Sequence, residues 1–275
     1  MTHRTAFLPA LLVFAAPVLA QAPKLPAPGI MVAPTRLVLD ARTRHQEVNL
    51  RNSGDGPGTF RIQLVGMDMD EDGACREVPL PPLPGGLAHR NLIQFSPPQV
   101  TLKPGESQVI RIRVNRPKDL PDGEYRAHMR VQEVPPPAPP DAPAEEAKGL
   151  SIRIVTQFGV AIPLIVRQGE TSATVALADL ARPAPERLAF TIKRTGSQSV
   201  YGDFKVLFHP DGGSTLPVAE VNGVSVWTPN ERRRMDIPLT AGQLAGKGTL
   251  EVVYSEPASL GGRVIASARL GVPAP

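Results

Sequence analysis

Residues 152–167 read Ile-Arg-Ile-Val-Thr-Gln-Phe-Gly-Val-Ala-Ile-Pro-Leu-Ile-Val-Arg. The even positions Ile152, Ile154, Phe158, Val160, Ile162 and Leu164 form an apolar row interrupted by Thr156, while Arg153, Gln157 and Gly159 fall on the other face. That is the period of an extended strand, whose side chains alternate between its two faces. Residues 135–148, just upstream, are rich in Pro, Ala and acidic side chains. Proline removes ladder donors, so this segment cannot pair as an inner strand. The reading is a strand with one free edge beside a mobile loop, an arrangement to which another chain can add a strand.

Outward from this stretch, the 275 residues suit two domains of ordinary size, each with its own core. With 32 Pro and 24 Gly, few aromatics and no long helical periodicity, the composition is that of a turn-rich β protein. Residues 1–20 have a short basic start, His3 and Arg4, then an apolar run ending Val18-Leu19-Ala20. They read as a secretory signal cleaved after Ala20, too short and too Pro-broken for a membrane span. The mature chain is expected to be exported and not inserted in a bilayer. Cys75 is the single cysteine, so no internal disulfide can form and two apolar cores must supply the stability. The net charge of +4 is dispersed, with Arg232-Arg233-Arg234 the only basic run. A nucleic-acid surface would interleave a basic stripe with stacking aromatics; the run reads instead as a solvated edge.

Along the chain, strands are expected over residues 30–40, 45–52, 60–69, 92–102 with a break at Pro97-Pro98, 109–115, 124–134 and 152–167. Turns fall at Ser53-Gly54-Asp55-Gly56-Pro57-Gly58, Lys103-Pro104-Gly105-Glu106 and Pro121-Asp122-Gly123. From Gln168 the pattern restarts, with strands over 173–178, 187–194, 202–208, 225–227, 234–239, 248–254 and 264–270. Short strands at this spacing imply two stacked sheets per domain. Trp227 reads as core or interdomain packing. Asp68-Met-Asp70-Glu-Asp72-Gly73 opens like a calcium loop, but the position that would need a bidentate glutamate is Pro79, so the segment reads as a solvated hairpin tip.

No chemistry of catalysis is legible. His45, His89, His128 and His209 stand singly, and no nucleophile elbow, phosphate loop or dinucleotide fingerprint occurs. The expectation is a non-enzymatic protein with no cofactor and no metal.

A further set of motifs has a family likeness. Thr35-Arg36 in the first strand, Ser96-Pro97-Pro98, Leu102-Lys-Pro104-Gly105 with Val109-Ile-Arg111-Ile112, Leu120-Pro121-Asp122 before Glu124-Tyr125-Arg126, and Ile162-Pro-Leu-Ile-Val-Arg167 occur together in order. In these the chain resembles the PapD-like periplasmic chaperones of the chaperone-usher pilus pathway. The resemblance covers the first domain and reaches the second by length and strand count. It implies an all-β protein of two immunoglobulin-like sandwiches in a boomerang arrangement, residues 21–168 and 169–275. It implies a periplasmic chaperone that lends an edge strand to pilus subunits and delivers them to an outer-membrane usher. The donated side chains would be Ile152, Ile154, Thr156 and Phe158; the competing reading is that they fill their own domain's core. Arg36 matches the arginine that binds the subunit's terminal carboxylate; otherwise it is a surface arginine of an edge strand. Two departures stand out: the family's anchor lysine is Pro163 here, with Arg153 or Lys103 as substitutes, and the family's acidic residue before the Pro-Gly turn is Lys103. The interdomain network around Arg167 is therefore expected to differ. Two other functions compete: an exported structural or adhesive sandwich, including a pilus component, and a secreted enzyme or metal-binding module.

Overall fold

Alternating burial decides which residues pair. In β3 (His45–Asn52), Val48, Leu50 and Asn52 are buried and the residues between them exposed; in β8 (Ser107–Val114), Ile110, Ile112 and Val114 are buried between Arg111 and Arg113. The computed structural model describes residues 29–135, 158–240, 244 and 246–273. One sheet of the first sandwich has the order β1 (Ile30–Ala33), β3, β8 and β6 (Ile93–Ser96). The facing sheet has the order β2 (Leu37–Leu39), β10 (Gly159–Gln168), β9 (Gly123–Val134), β4 (Gly58–Met69) and β5 (Cys75–Val78), and β7 (Gln99–Leu102) also pairs with β4. Their inner faces share one apolar core that includes Val48, Leu50, Ile110, Ile112, Met129 and Leu164. Each such side chain contributes about 1.5–3 kcal/mol on burial.

A second sandwich stacks β11 (Ala173–Ala184), β12 (Arg187–Gly196) and β15 (Arg232–Pro238) on a sheet ordered β14 (Leu216–Val226), β13 (Val200–Pro210), β16 (Gly248–Ser255), β17 (Val264–Val272). It has its own core, in which Phe204 stacks on Tyr254 at 4.4 Å between ring centroids. The all-β, two-sandwich expectation holds, and several element boundaries move. Residues 30–40 are two strands, not one: β1 pairs with β3, and after Pro34, Thr35 and Arg36 the chain crosses to pair β2 with β10 in parallel. A proline without an N–H cannot extend the first ladder, so the chain changes sheets there. The break at Pro97-Pro98 likewise sends β6 and β7 to different sheets. β11 runs past residue 178 through an irregularity at Asp179, whose φ is 58°. β5, unmarked in the sequence, closes a hairpin with β4 around Asp70.

The two sandwiches are joined through a buried carboxylate. Glu124 on β9 lies opposite Arg167 on β10, and its Oε2 accepts from Arg167 Nε at 3.2 Å, Ser199 N at 3.0 Å and Ser199 Oγ at 2.9 Å. The Glu124 side chain has 0% exposure, and Arg167 Nη2 also donates to the Ser199 carbonyl at 3.2 Å. Beside it, Trp227 packs against the first sandwich as the sequence suggested: the Arg126 guanidinium lies 4.5 Å from its ring centroid and the His128 ring 5.0 Å away. Neither His128 ring nitrogen has a hydrogen-bond partner among the described residues. A third contact corrects two readings at once. The β4–β5 hairpin tip is not simply solvated, and Arg234 is not a free edge residue: Arg234 donates to Asp72 Oδ1 at 2.6 Å and to Glu71 Oε2 at 3.1 Å, and Asn230 donates to the Met69 carbonyl.

These contacts differ in weight. Removing one partner of a buried ion pair strands the other, so Glu124→Ala should cost about 3–5 kcal/mol in urea unfolding, while Asp72→Asn, at an exposed pair, should leave the midpoint unchanged. Burial, reinforced by Arg126 and Arg36, pushes the His128 imidazole down from 6.5 to about 4. The unfolded chain then takes up a proton between pH 6.5 and 4 that the folded chain refuses, so stability falls as pH drops through that window. The loss attributable to this group should reach about 3 kcal/mol at pH 4. Unfolding at pH 7 and pH 4 should show it in the wild type and not in His128→Leu.

Candidate functional site

The organising strand emerges from its own core toward its N-terminal end. On β10, Leu164 and Ile162 are buried among the first sandwich's apolar residues and Val160 is half-buried, but Phe158, on the same face, is 46% exposed. The row therefore fills its own core at one end and leaves it at the other. Ile152, Ile154 and Thr156 lie outside the described residues, as do the acidic proline-rich segment from residue 136 and the leader.

Among the described residues the edge of this strand is free where the row emerges. β2 pairs only with Leu164, Ile165 and Val166, while β9 pairs with all of Gly159–Gln168. Among the described residues no strand covers residues 159–163 on the β2 side. Glu133 N donates to the Phe158 carbonyl at 3.1 Å. In an antiparallel ladder bonded and non-bonded pairs alternate, so residues 160 and 162 also turn their backbone groups to β9, while Gly159, Ala161 and Pro163 turn theirs outward. Pro163 thus occupies a position where β9 requires no donor, which explains a proline inside a paired strand.

Arg36 sits at the sheet crossing, immediately before β2. Since Leu37 pairs with Leu164, Arg36 lies level with Pro163. It is half-buried, its guanidinium 4.7 Å from the ring centroid of Tyr201 on the second sandwich. It lines a cavity of about 320 Å³ between the sandwiches, with Val38, Arg167, Glu256 and Arg263 among the other walls. Among the described residues it has no hydrogen-bond or ion-pair partner. Burial lowers its pKa to about 10, with Glu124 opposing the shift, so it stays cationic at neutral pH. A planar cation with free donors in a cleft suits a carboxylate, which it can meet with two parallel hydrogen bonds. Arg36 is thus a half-buried residue at the start of an edge strand, lining the cleft.

Of the suggested substitutes for an anchor lysine, only Lys103 falls among the described residues. Lys103 does not line the cavity; its backbone N–H donates to Glu106 Oε2 at 2.8 Å within the β7–β8 turn. Arg153 lies outside the described residues. In the interdomain network of this chain the acid that meets Arg167 is Glu124. Ser199 and Tyr201 were not singled out from sequence, and Glu124 was noted only within a motif and given no role. For Glu124 a signal existed: a long strand on each side of the loop places opposite charges, Glu124 and Arg167, directly across from one another. Asp70, in the calcium-like segment, accepts from the N–H groups of Asp72 and Ala74 and so shapes the turn. Cys75 is an exposed free thiol whose pKa is raised by partial burial, the opposite of an activated nucleophile. Among the described residues no helix is long and apolar enough to cross a membrane.

Comparison with known proteins follows the same lines. No curated protein sequence matches the chain. Similar solved structures include the Salmonella enterica SafA pilin in complex with the SafB chaperone, 14% identical, covering 91% of this chain and 99% of that one with a TM-score of 0.44. Another is the CsuC–CsuE chaperone–tip subunit pre-assembly complex of archaic Csu pili from Acinetobacter baumannii, 16% identical, covering 75% and 89% with a TM-score of 0.42. A model of the pili and flagellar-assembly chaperone family, PapD N-terminal domain, matches residues 29–167, just over half of the chain and the whole first sandwich. The chain belongs to that family of pilus-assembly chaperones.

Proposed function

We propose that this chain is a periplasmic chaperone that binds pilus subunits by lending them the strand around residues 152–158 and passes them to an outer-membrane usher. The observation that carries the reading is the pairing of a free backbone edge over residues 159–163, next to the half-exposed Phe158, with the unpartnered Arg36 guanidinium level with Pro163. A subunit lacking its last strand offers an apolar groove and unpaired edges. Ile152, Ile154 and Phe158 would enter that groove while the outward backbone groups of β10 extend the ladder. Burying three such side chains yields on the order of 5 kcal/mol before ordering costs. Arg36 would hold the subunit's terminal carboxylate.

Export rests on the leader read in residues 1–20, and the periplasm on family membership. The first sandwich already has its closing strand in β10, which separates this chain from a pilus subunit awaiting one. Residues 21–168 and 169–275 are proposed as the two domains, with β10 ending at Gln168 and β11 starting at Ala173.

Co-expression with a pilus subunit tests the assignment. Ile154→Asp and Phe158→Asp should each cut recovery of the soluble chaperone–subunit complex more than tenfold, and Arg36→Ala should do the same with the strand intact. Undiminished co-purification with all three variants would refute strand donation.

A further inference from the structure

We infer that Arg263, on the second sandwich, supplies the second cation for the carboxylate held by Arg36, so that the bound terminus is clamped from both domains. This rests on the proposed carboxylate role of Arg36. Pro163 puts no cation on β10 level with Arg36, so other cationic side chains near Arg36 come from elsewhere in the cleft. His128 lies across from Pro163 on β9 but is 3% exposed beneath Trp227 and does not line the cavity. Among the described residues three arginines line it: Arg36, Arg167 and Arg263.

Their commitments separate them. Arg167 is spent on the joint, with Nε on Glu124 and Nη2 on the Ser199 carbonyl. Among the described residues the Arg263 side chain makes one polar contact, from Nη2 to Glu256 Oε1 at 2.7 Å, and it is 76% exposed, which leaves its remaining donors available. The connection that presents it is well fixed. Glu256 N donates to the Arg263 carbonyl at 2.8 Å across the β16–β17 turn, and Gly261 and Gly262, with φ of 107° and 66°, take backbone conformations that favour glycine. Glu256 thus orients the guanidinium and partly offsets its charge. A carboxylate, with two oxygens and about four acceptor sites, can take a fork from each side.

The probe is an acetylated Thr-Val-Thr-Val-Thr-Val peptide with a free C-terminal carboxylate, its C-terminal amide, and acetate, each titrated into the full chain labelled for arginine side-chain NMR. With the acid, the Nε–H resonances of Arg36 and Arg263 should shift together; with the amide, neither should. Arg263→Ala should weaken binding of the acid about tenfold, Arg263→Lys should restore part of it, and Glu256→Gln should tighten it. If Arg36→Ala abolishes acid binding and Arg263→Ala leaves it unchanged, the inference on Arg263 is overturned and the proposed function stands. Acid binding insensitive to both variants would overturn the carboxylate reading itself. Acetate binding as tightly as the peptide acid would overturn the assignment to a chain terminus.

Discussion

A carboxylate with no exposed surface lies between the two sandwiches, and a buried charge is tolerated only when its lone pairs are filled. Glu124 meets that condition with Arg167 from its own sheet and two donors from Ser199 of the other sandwich. Removing either side would leave an unpaired charge in a low-dielectric joint. The pairing therefore fixes more than stability. Ser199 is followed by Val200 and Tyr201 at the start of β13, so the contact that seats Ser199 on Glu124 also sets Tyr201 against the Arg36 guanidinium. The cleft around Arg36 inherits its shape from the Glu124 joint. The hairpin tip on Arg234 adds a second contact away from it, through exposed pairs that water and salt weaken.

The free edge of β10 has an equally local cause. β2 is only Leu37–Leu39 because Pro34 ends the preceding ladder and the chain needs Thr35 and Arg36 to reach the other sheet. A β2 starting earlier in register would cover residues 159–163 and leave nothing to lend. Exposed edges invite promiscuous pairing. Here Pro163 removes one outward donor, and Gly159 and Ala161 present little side chain, so the edge is narrow and weakly templating until an apolar groove is added.

Much of this was legible in the residues. Alternation located β3 and β8 because each has one buried face, and a two-residue period then has a single reading; it also located β9 and β10, although residues 127–129 and 164–166 are buried on both faces. The parity of residues 152–164 was right where it can be followed, from Phe158 to Leu164. Alternation could not say where the row leaves its own core, because Ile162 and Phe158 look alike in sequence; the difference lies in what the opposite sheet covers. The switch at Pro34–Arg36 was missed because both halves are apolar and extended, and only pairing partners distinguish one strand from two. Arg234, Glu124 and Tyr201 were opaque for another reason. Each acts on a residue tens to more than a hundred positions away, and no local period encodes that.

Anchor and edge also constrain each other. Arg36 is level with Pro163, and Phe158 is five residues nearer the N-terminus, about 16 Å along an extended strand at roughly 3.3 Å per residue. A subunit strand laid along this edge without a fixed end could slip, and a one-residue slip turns every side chain to the opposite face. An apolar row resists that slip, which would expose it, but resists a two-residue slip poorly, since Ile152, Ile154 and Phe158 are all large apolar side chains that can exchange places at that offset. A carboxylate held at one end resists both errors. It exists once per chain, and any offset takes it out of reach of a guanidinium that is itself held by Tyr201. On the proposed reading the apolar row supplies most of the affinity and the charged cleft supplies the register; Phe158 and Arg36 both belong to the first sandwich, and the second sandwich contributes Tyr201, which holds the guanidinium in place.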